Sequence, residues 1–272
     1  MALDYPALLD ELRVETEGLT TVLDRLRPAQ WKADTPAAGW TVRDQVSHLA
    51  YFDGAAVDAI RSPRRFKAEA AEWMAAGMDF PARIAERYRD MAPGDLCTWF
   101  VRARRDLLAV LTDTEPRTRI PWYGPDMSVA SSATARLMET WAHGQDIYDA
   151  LQLPHPPSAG LKSIAHLGIS TFGFVHTLHD REVPDEPVRV ELLAPDARTV
   201  WAWGPESCDN VVSGPAEDFV LAVTQRRHIT DTALTVTGAV AEAWMSIAQA
   251  FAGAPGSGRA PLTAASSHGR IP

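Results

Sequence analysis

Over its first 183 residues the chain spaces its apolar residues for helices, and this periodicity limits its fold more than any other feature. Leu8, Leu9, Leu12, Leu19, Val22, Leu23 and Leu26 return to one face of a helix. After a Pro/Gly-containing loop over 34–39, Thr41 opens a second helix. Asp44 follows three residues on, a short-armed capping box. This helix is predicted to run to about Ile60. Residues 61–80 read as irregular or weakly helical, 81–91 as a short helix, and Leu96 to Leu111 as an amphipathic one. Residues 114–126, with Pro116, Pro121, Gly124 and Pro125, read as a loop. Helices are predicted again over 131–151 and 159–180, separated by the break at Pro154 to Pro157.

After Val183 the pattern changes. Pro184, Asp185 and Pro187 form a breaker cluster, and Val188 to Leu193 and Thr199 to Trp203 alternate as strands do. Residues 216–224 and 239–251 read as helices, with a short strand over 233–236 between them. The expected fold class is therefore mainly α: a helical domain over 1–183 and a smaller α+β domain over 184–252. The segment 253–272, rich in Gly, Ala, Ser and Pro, is expected to be a disordered tail. There are no internal repeats.

Composition removes several function classes. A net charge of −9 opposes phosphate binding, so nucleic acid is not an expected partner, and Arg61, Arg64, Arg65 and Lys67 read as a solvated loop. No apolar run reaches membrane-spanning length, and residues 1–13 lack the layout of a signal peptide. A cytoplasmic protein without a membrane partner, monomeric or homodimeric, is expected. The two cysteines, Cys97 and Cys208, lie far apart with no CxxC motif, which excludes a cysteine-rich zinc site and a disulfide framework. Cys97, in an apolar stretch, reads as a buried inert thiol. A metal would have to be held by histidine and carboxylate. Three lysines (Lys32, Lys67, Lys162) stand against 23 arginines, the bias of a GC-rich genome, and an actinobacterial source is expected.

Glu139 and His143 are four apart on a predicted helix, so both leave one face and can share a metal ion. Among eight histidines such a spacing arises readily by chance, and alone it favours an ordinary His–Glu pair. His48, between Val46 and Leu49 on an amphipathic helix, reads alone as a core-edge histidine. Inward residues on facing helices of an antiparallel bundle can nevertheless converge on one metal. Three protein ligands would leave a coordination position open, the layout of a catalytic site.

The stretch Trp40-Thr-Val-Arg-Asp-Gln-Val-Ser-His48-Leu-Ala resembles the first metal motif of the DinB-like superfamily. Within it the closest likeness is to the branch of mycothiol-dependent maleylpyruvate isomerases. Thr134-Ala-Arg-Leu-Met-Glu139-Thr-Trp-Ala-His143-Gly-Gln-Asp146 is similar to the second motif of that branch. Pro121-Trp-Tyr-Gly-Pro-Asp-Met127 resembles a subgroup of metal-binding proteins. The resemblance implies an N-terminal four-helix bundle holding one divalent metal, commonly zinc, on His48, Glu139 and His143. It also implies a C-terminal α+β domain that helps bind a thiol cofactor, mycothiol, and supplies an arginine. Gln225-Arg226-Arg227 lies where that arginine is expected but departs from the usual Gly-Arg, which leaves Arg226 and Arg227 both as candidates.

Further candidates carry two readings each. Asp146 either orients His143 and serves as an acid–base group or is a solvated helix acid. Arg136 either pairs with Glu139 or forms a surface salt bridge. His176 and His179 line a pocket or serve a helix end. Trp122, Tyr123 and Met127, in the loop before the ligand helix, are candidates to wall a substrate cavity. Three functions follow. The first is a metal-dependent, thiol-using transferase or isomerase acting on a small electrophile. The second is a hydrolase or lyase using a metal-bound water. The third is a non-catalytic metal or small-molecule binding protein.

Overall fold

The computed structural model describes residues 4–256 and 258–262. Its two compact units, Met1–Pro156 and Pro157–Pro272, are taken in turn.

In the first unit, helix α1 (Tyr5–Leu23) begins at Asp4, whose side chain accepts from the Ala7 amide. Helix α2 (Val42–Arg61) starts as its sequence predicts. The Asp44 carboxylate accepts from the Thr41 amide and hydroxyl, closing the capping box. Of the two readings of residues 61–80, irregular or weakly helical, the helical one holds over most of the stretch. Proline at the first turn starts helix α3 (Pro63–Ala75), and buried Phe66 and Ala70 hold it down. Two anchors in thirteen residues are too sparse a period to read from sequence. A short α4 (Phe80–Arg87) leads to the long α5 (Pro93–Asp113). Within the predicted loop, β1 (Arg119–Ile120) pairs antiparallel with β2 (Met127–Ser128). The Ser128 side chain then caps α6 (Val129–Leu151) by accepting from the Ser131 amide, 3.0 Å away.

Helices α5 and α6 each pack against both α1 and α2, closing a four-helix bundle. Leu19 and Leu23 of α1, Val42, Val46 and Leu49 of α2, Leu96 and Phe100 of α5 and Ile147 of α6 form one apolar core cluster. Cys97 packs at its edge, and burial pushes its thiol pKa up, as an inert cysteine requires.

Charged groups cross this bundle. Asp53 on α2 is fully buried and takes Arg104 of α5 on one oxygen at 2.7 Å and Arg136 of α6 on the other at 3.0 Å. Arg104 also donates to Thr16 on α1 and to Thr140 on α6, and Arg136 donates to the Leu49 carbonyl. Arg136 is thus neither a partner of Glu139 nor a surface residue: its mate is Asp53, which sequence separation hid. Burial pulls the Arg104 guanidinium pKa down, and Asp53 partly offsets it.

The second unit begins upstream of the predicted boundary at 184. Helix α7 (Leu161–Ser170) packs on α9 (Ala216–Val223), and a side chain at Gly168 would meet Val223 at 2.7 Å. These later contacts pull residues 157–183 into the second unit, although their helical pattern matches the first. The predicted helix over 159–180 is in fact α7 and α8 (Phe172–Leu178), interrupted at Thr171. The sheet runs β4 (Val200–Trp203), β3 (Arg189–Leu193), β5 (Val211–Pro215), β6 (Thr235–Thr237). Strand β3 pairs antiparallel with β4 and parallel with β5, and β6 runs antiparallel to β5. Strand β5 escaped the sequence reading because Gly214 and Pro215 look like a turn. Helix α10 (Ala239–Met245) follows. Of the stretch predicted to be a disordered tail, residues 253–256 and 258–262 are placed. The Gly256 amide donates to Gln249 and the Leu262 amide to Asp231. The remainder of that prediction falls on residue 257 and on 263–272, outside the described residues. Among the described residues no helix is long and apolar enough to cross a membrane.

Removing Asp53 would leave two guanidinium groups in the core without their carboxylate. Asp53→Ala is expected to cost about 3–5 kcal/mol, measured as a loss of unfolding free energy in urea.

Candidate metal centre

The two motif helices bring their polar residues to one point. His48 leaves α2 toward α6, where Glu139 and His143 sit one turn apart. Glu139 Oε2 lies 3.0 Å from His143 Nε2 and 3.3 Å from His48 Nε2. The three candidate ligand atoms all fall within 4.8 Å of one another. Both imidazole side chains are 11% exposed against 22% for Glu139, so the cluster opens on the carboxylate side.

A chain of hydrogen bonds sets the histidine tautomer. The Thr35 hydroxyl donates to the Trp40 carbonyl at 2.8 Å and accepts from Gln45 Nε2 at 2.8 Å. That orientation turns Gln45 Oε1 toward His143 Nδ1, which must therefore carry the proton. His143 Nε2 then meets a carboxylate 3.0 Å away, a contact that either a proton on Nε2 or a metal ion between the two satisfies. Two imidazole nitrogens and one carboxylate oxygen are a donor set that zinc accepts, with a position to spare. The residues present therefore fit a divalent metal.

Electrostatics agree. Burial, reinforced by His143, lowers the His48 pKa to about 4, so its lone pair is available at neutral pH. Burial alone would raise the Glu139 carboxyl, but His143 and His48 beside it hold it well below the usual carboxylate range.

Aromatic rings wall the centre. Trp40 stacks on His143 with centroids 5.8 Å apart and meets His48 edge-on at 5.3 Å. Phe52, one turn beyond His48, lies 4.5 Å from its ring. Tyr123 packs on Phe52 at 5.5 Å and Trp122 stacks on Phe66 at 5.6 Å, so these loop residues join the wall next to the centre. Met127 pairs with Ile120 in the small hairpin. Asp146 is fully buried, and Gln45 meets the other nitrogen of His143. Gln45 escaped the reading because its partner is 98 residues away, although it stands three before His48 inside the first motif. Arg226 and Arg227 belong to the second unit, just beyond α9. Each directs an Nη1 to a backbone carbonyl, of Thr224 and Arg226 respectively. His176 ends α8, its Nδ1 donating to the Phe172 carbonyl at 2.8 Å.

Known proteins resemble this chain along most of its length. Residues 12–148 match the family model for the mycothiol maleylpyruvate isomerase N-terminal domain, and residues 173–243 match that for the corresponding C-terminal domain. Two relatives from Mycobacterium tuberculosis, uncharacterized protein Rv0036c of strain H37Rv and uncharacterized protein MT0041 of strain CDC 1551, are each 41% identical over 257 residues. These spans are 92% of this chain and 96% of each relative. A crystal structure of mycothiol-dependent maleylpyruvate isomerase superposes with a TM-score of 0.59 at 17% identity. It covers 86% of this chain and 93% of that one. A mutant form of that enzyme gives 0.58 at 16% over the same shares. At such identity the likeness shows the fold.

Two measurements test the centre. Gln45→Leu should weaken zinc binding by about 10–100-fold in chelator competition while leaving the helical content unchanged. Between pH 6.5 and about 4 the unfolded chain takes up a proton at His48 that the folded chain refuses. The metal-free protein should therefore lose stability as pH falls through that window, and His48→Ala should flatten that part of the profile.

Proposed function

The chain belongs to the mycothiol maleylpyruvate isomerase family, and from that membership we propose that it is a metal-dependent enzyme using a thiol, mycothiol, to transform a small electrophile. The carrying observation is the three-residue donor set with its open side at Glu139. A divalent metal there, zinc by its donor chemistry, supplies Lewis acidity that favours the thiolate form of a thiol at the open position.

The chain's own residues do the rest. Gln45 and Thr35 hold His143 in the tautomer that presents Nε2. Trp40 and Phe52 cover the imidazole faces and keep water off them. In the isomerase version of the chemistry the thiolate adds to a conjugated double bond. The resulting single bond rotates, and elimination returns the thiol unchanged. Arg226 or Arg227 would hold a substrate carboxylate by paired hydrogen bonds. Trp122, Tyr123 and Met127 are the loop residues assigned to the substrate side.

The hydrolase reading, in which water takes the open position, needs a general base. Asp146, the acid available for it, is fully buried on α6. This favours the thiol reading.

Calorimetric titration of the zinc-loaded protein with mycothiol should give saturable heat, and the cobalt-substituted protein should change its visible spectrum on the same addition. Absence of both would overturn thiol use. Product formed from an electrophile with no thiol present would favour the hydrolase. His48→Ala and His143→Ala should each strip most of the metal, read by elemental analysis, and full metal content in both would sink the shared premise.

A further inference from the structure

A second cavity lies beside the metal centre and has a different chemistry. It is a half-open cleft of about 160 Å³ between α2, α3 and the hairpin loop, with Trp99 of α5 on one side. Its aromatic walls are Tyr51, Phe66, Trp99 and Tyr123, and its charged groups are Asp58 and Glu69. No arginine, lysine or histidine lines it. None of the three metal-ligand candidates does either, although Tyr123 packs on Phe52, which in turn packs on His48.

The two carboxylates differ. Asp58 is paired with Arg65. Glu69 accepts a hydrogen bond from the Tyr51 hydroxyl at 2.7 Å, and among the described residues no cation pairs with it. Glu69 is exposed at the rim of the cavity, so its charge is accessible to a ligand arriving from solution. Aromatic faces carry negative potential, and although Phe66 and Tyr123 each stack one face on Trp122 and Phe80 respectively, a ring face left toward the cavity would act in the same direction as Glu69. Burial and this carboxylate both push the Tyr51 hydroxyl pKa up, the response expected where negative charge is concentrated.

We infer that this cavity is a binding pocket for a small organic cation, an ammonium group set against Tyr51, Phe66, Trp99 and Tyr123 and paired with Glu69. A carboxylate would meet Glu69 in a cavity whose lining has no positive group, the nearby Arg65 being paired with Asp58. A neutral group would gain the contact area without the charge term. The pocket uses no metal ligand, so its occupancy does not depend on the metal.

Three probes of nearly the same shape separate charge from size: tetramethylammonium, tert-butanol and pivalate. Saturation-transfer NMR on the zinc-loaded protein reads each through its own methyl signal. Tetramethylammonium should bind saturably, about tenfold tighter than tert-butanol, with pivalate giving no saturable signal. Glu69→Gln keeps an acceptor for Tyr51 while removing the charge, and should weaken tetramethylammonium about fivefold without changing tert-butanol binding. Trp99→Leu should weaken the cation as well. The metal content of both variants should equal that of the parent, which separates failure here from failure of the metal-centre reading. Equal affinity for the three probes, no saturation by tetramethylammonium, or affinity indifferent to both substitutions would each overturn the assignment.

Discussion

The buried carboxylate of Asp53 is the interaction on which the first unit depends. It lies in the middle of the bundle and carries two guanidinium groups, one from α5 and one from α6. Arg104 extends the tie to α1 through Thr16. Apolar packing fixes which faces meet but tolerates sliding by a turn, because one leucine replaces another at small cost. A buried charge does not tolerate it, since each partner left alone in a low-dielectric core costs several kcal/mol. The brace therefore favours the one register that pairs all three groups. His48 lies five residues before Asp53 on α2, and Glu139 lies three after Arg136 on α6. The register that satisfies the brace is also the one that brings the ligand atoms together.

From that register the centre gains its polarity. The loop before α2 folds back through the Thr35–Trp40 pair, and α2 then lends Gln45 to a histidine on α6. Fixing one ring proton fixes where the other nitrogen's lone pair points. Burial keeps His48 neutral, and the two imidazoles beside Glu139 keep its carboxyl ionised. The first motif is thus one device: Trp40 covers, Gln45 orients and His48 faces Glu139.

The aromatic layer around this device divides the unit's polar chemistry in two. On one side are two imidazoles and a carboxylate suited to a metal. On the other, across Phe52 and Tyr123, is a cavity whose only unpaired charge is Glu69. The loop carrying Trp122 and Tyr123 serves both, since its rings pack against Phe52 and Phe66 together.

By itself the sequence determined the long helices α1, α2, α5 and α6, because their apolar residues recur on one face and each carries its own start signal or period. The same holds for the change of texture after Val183 and for β3 and β4. That His48, Glu139 and His143 converge could be expected only because two whole motifs match a known branch; spacing alone left each residue ambiguous. Tertiary structure decided what sequence distance conceals. Arg136 found Asp53 rather than Glu139, His143 found Gln45 from another helix, and helix α7 joined the second unit through Gly168 and Val223. Each of these is a choice among several chemically equivalent partners. Local periodicity says which face a residue occupies, but only the packing of whole helices decides which distant group stands opposite it.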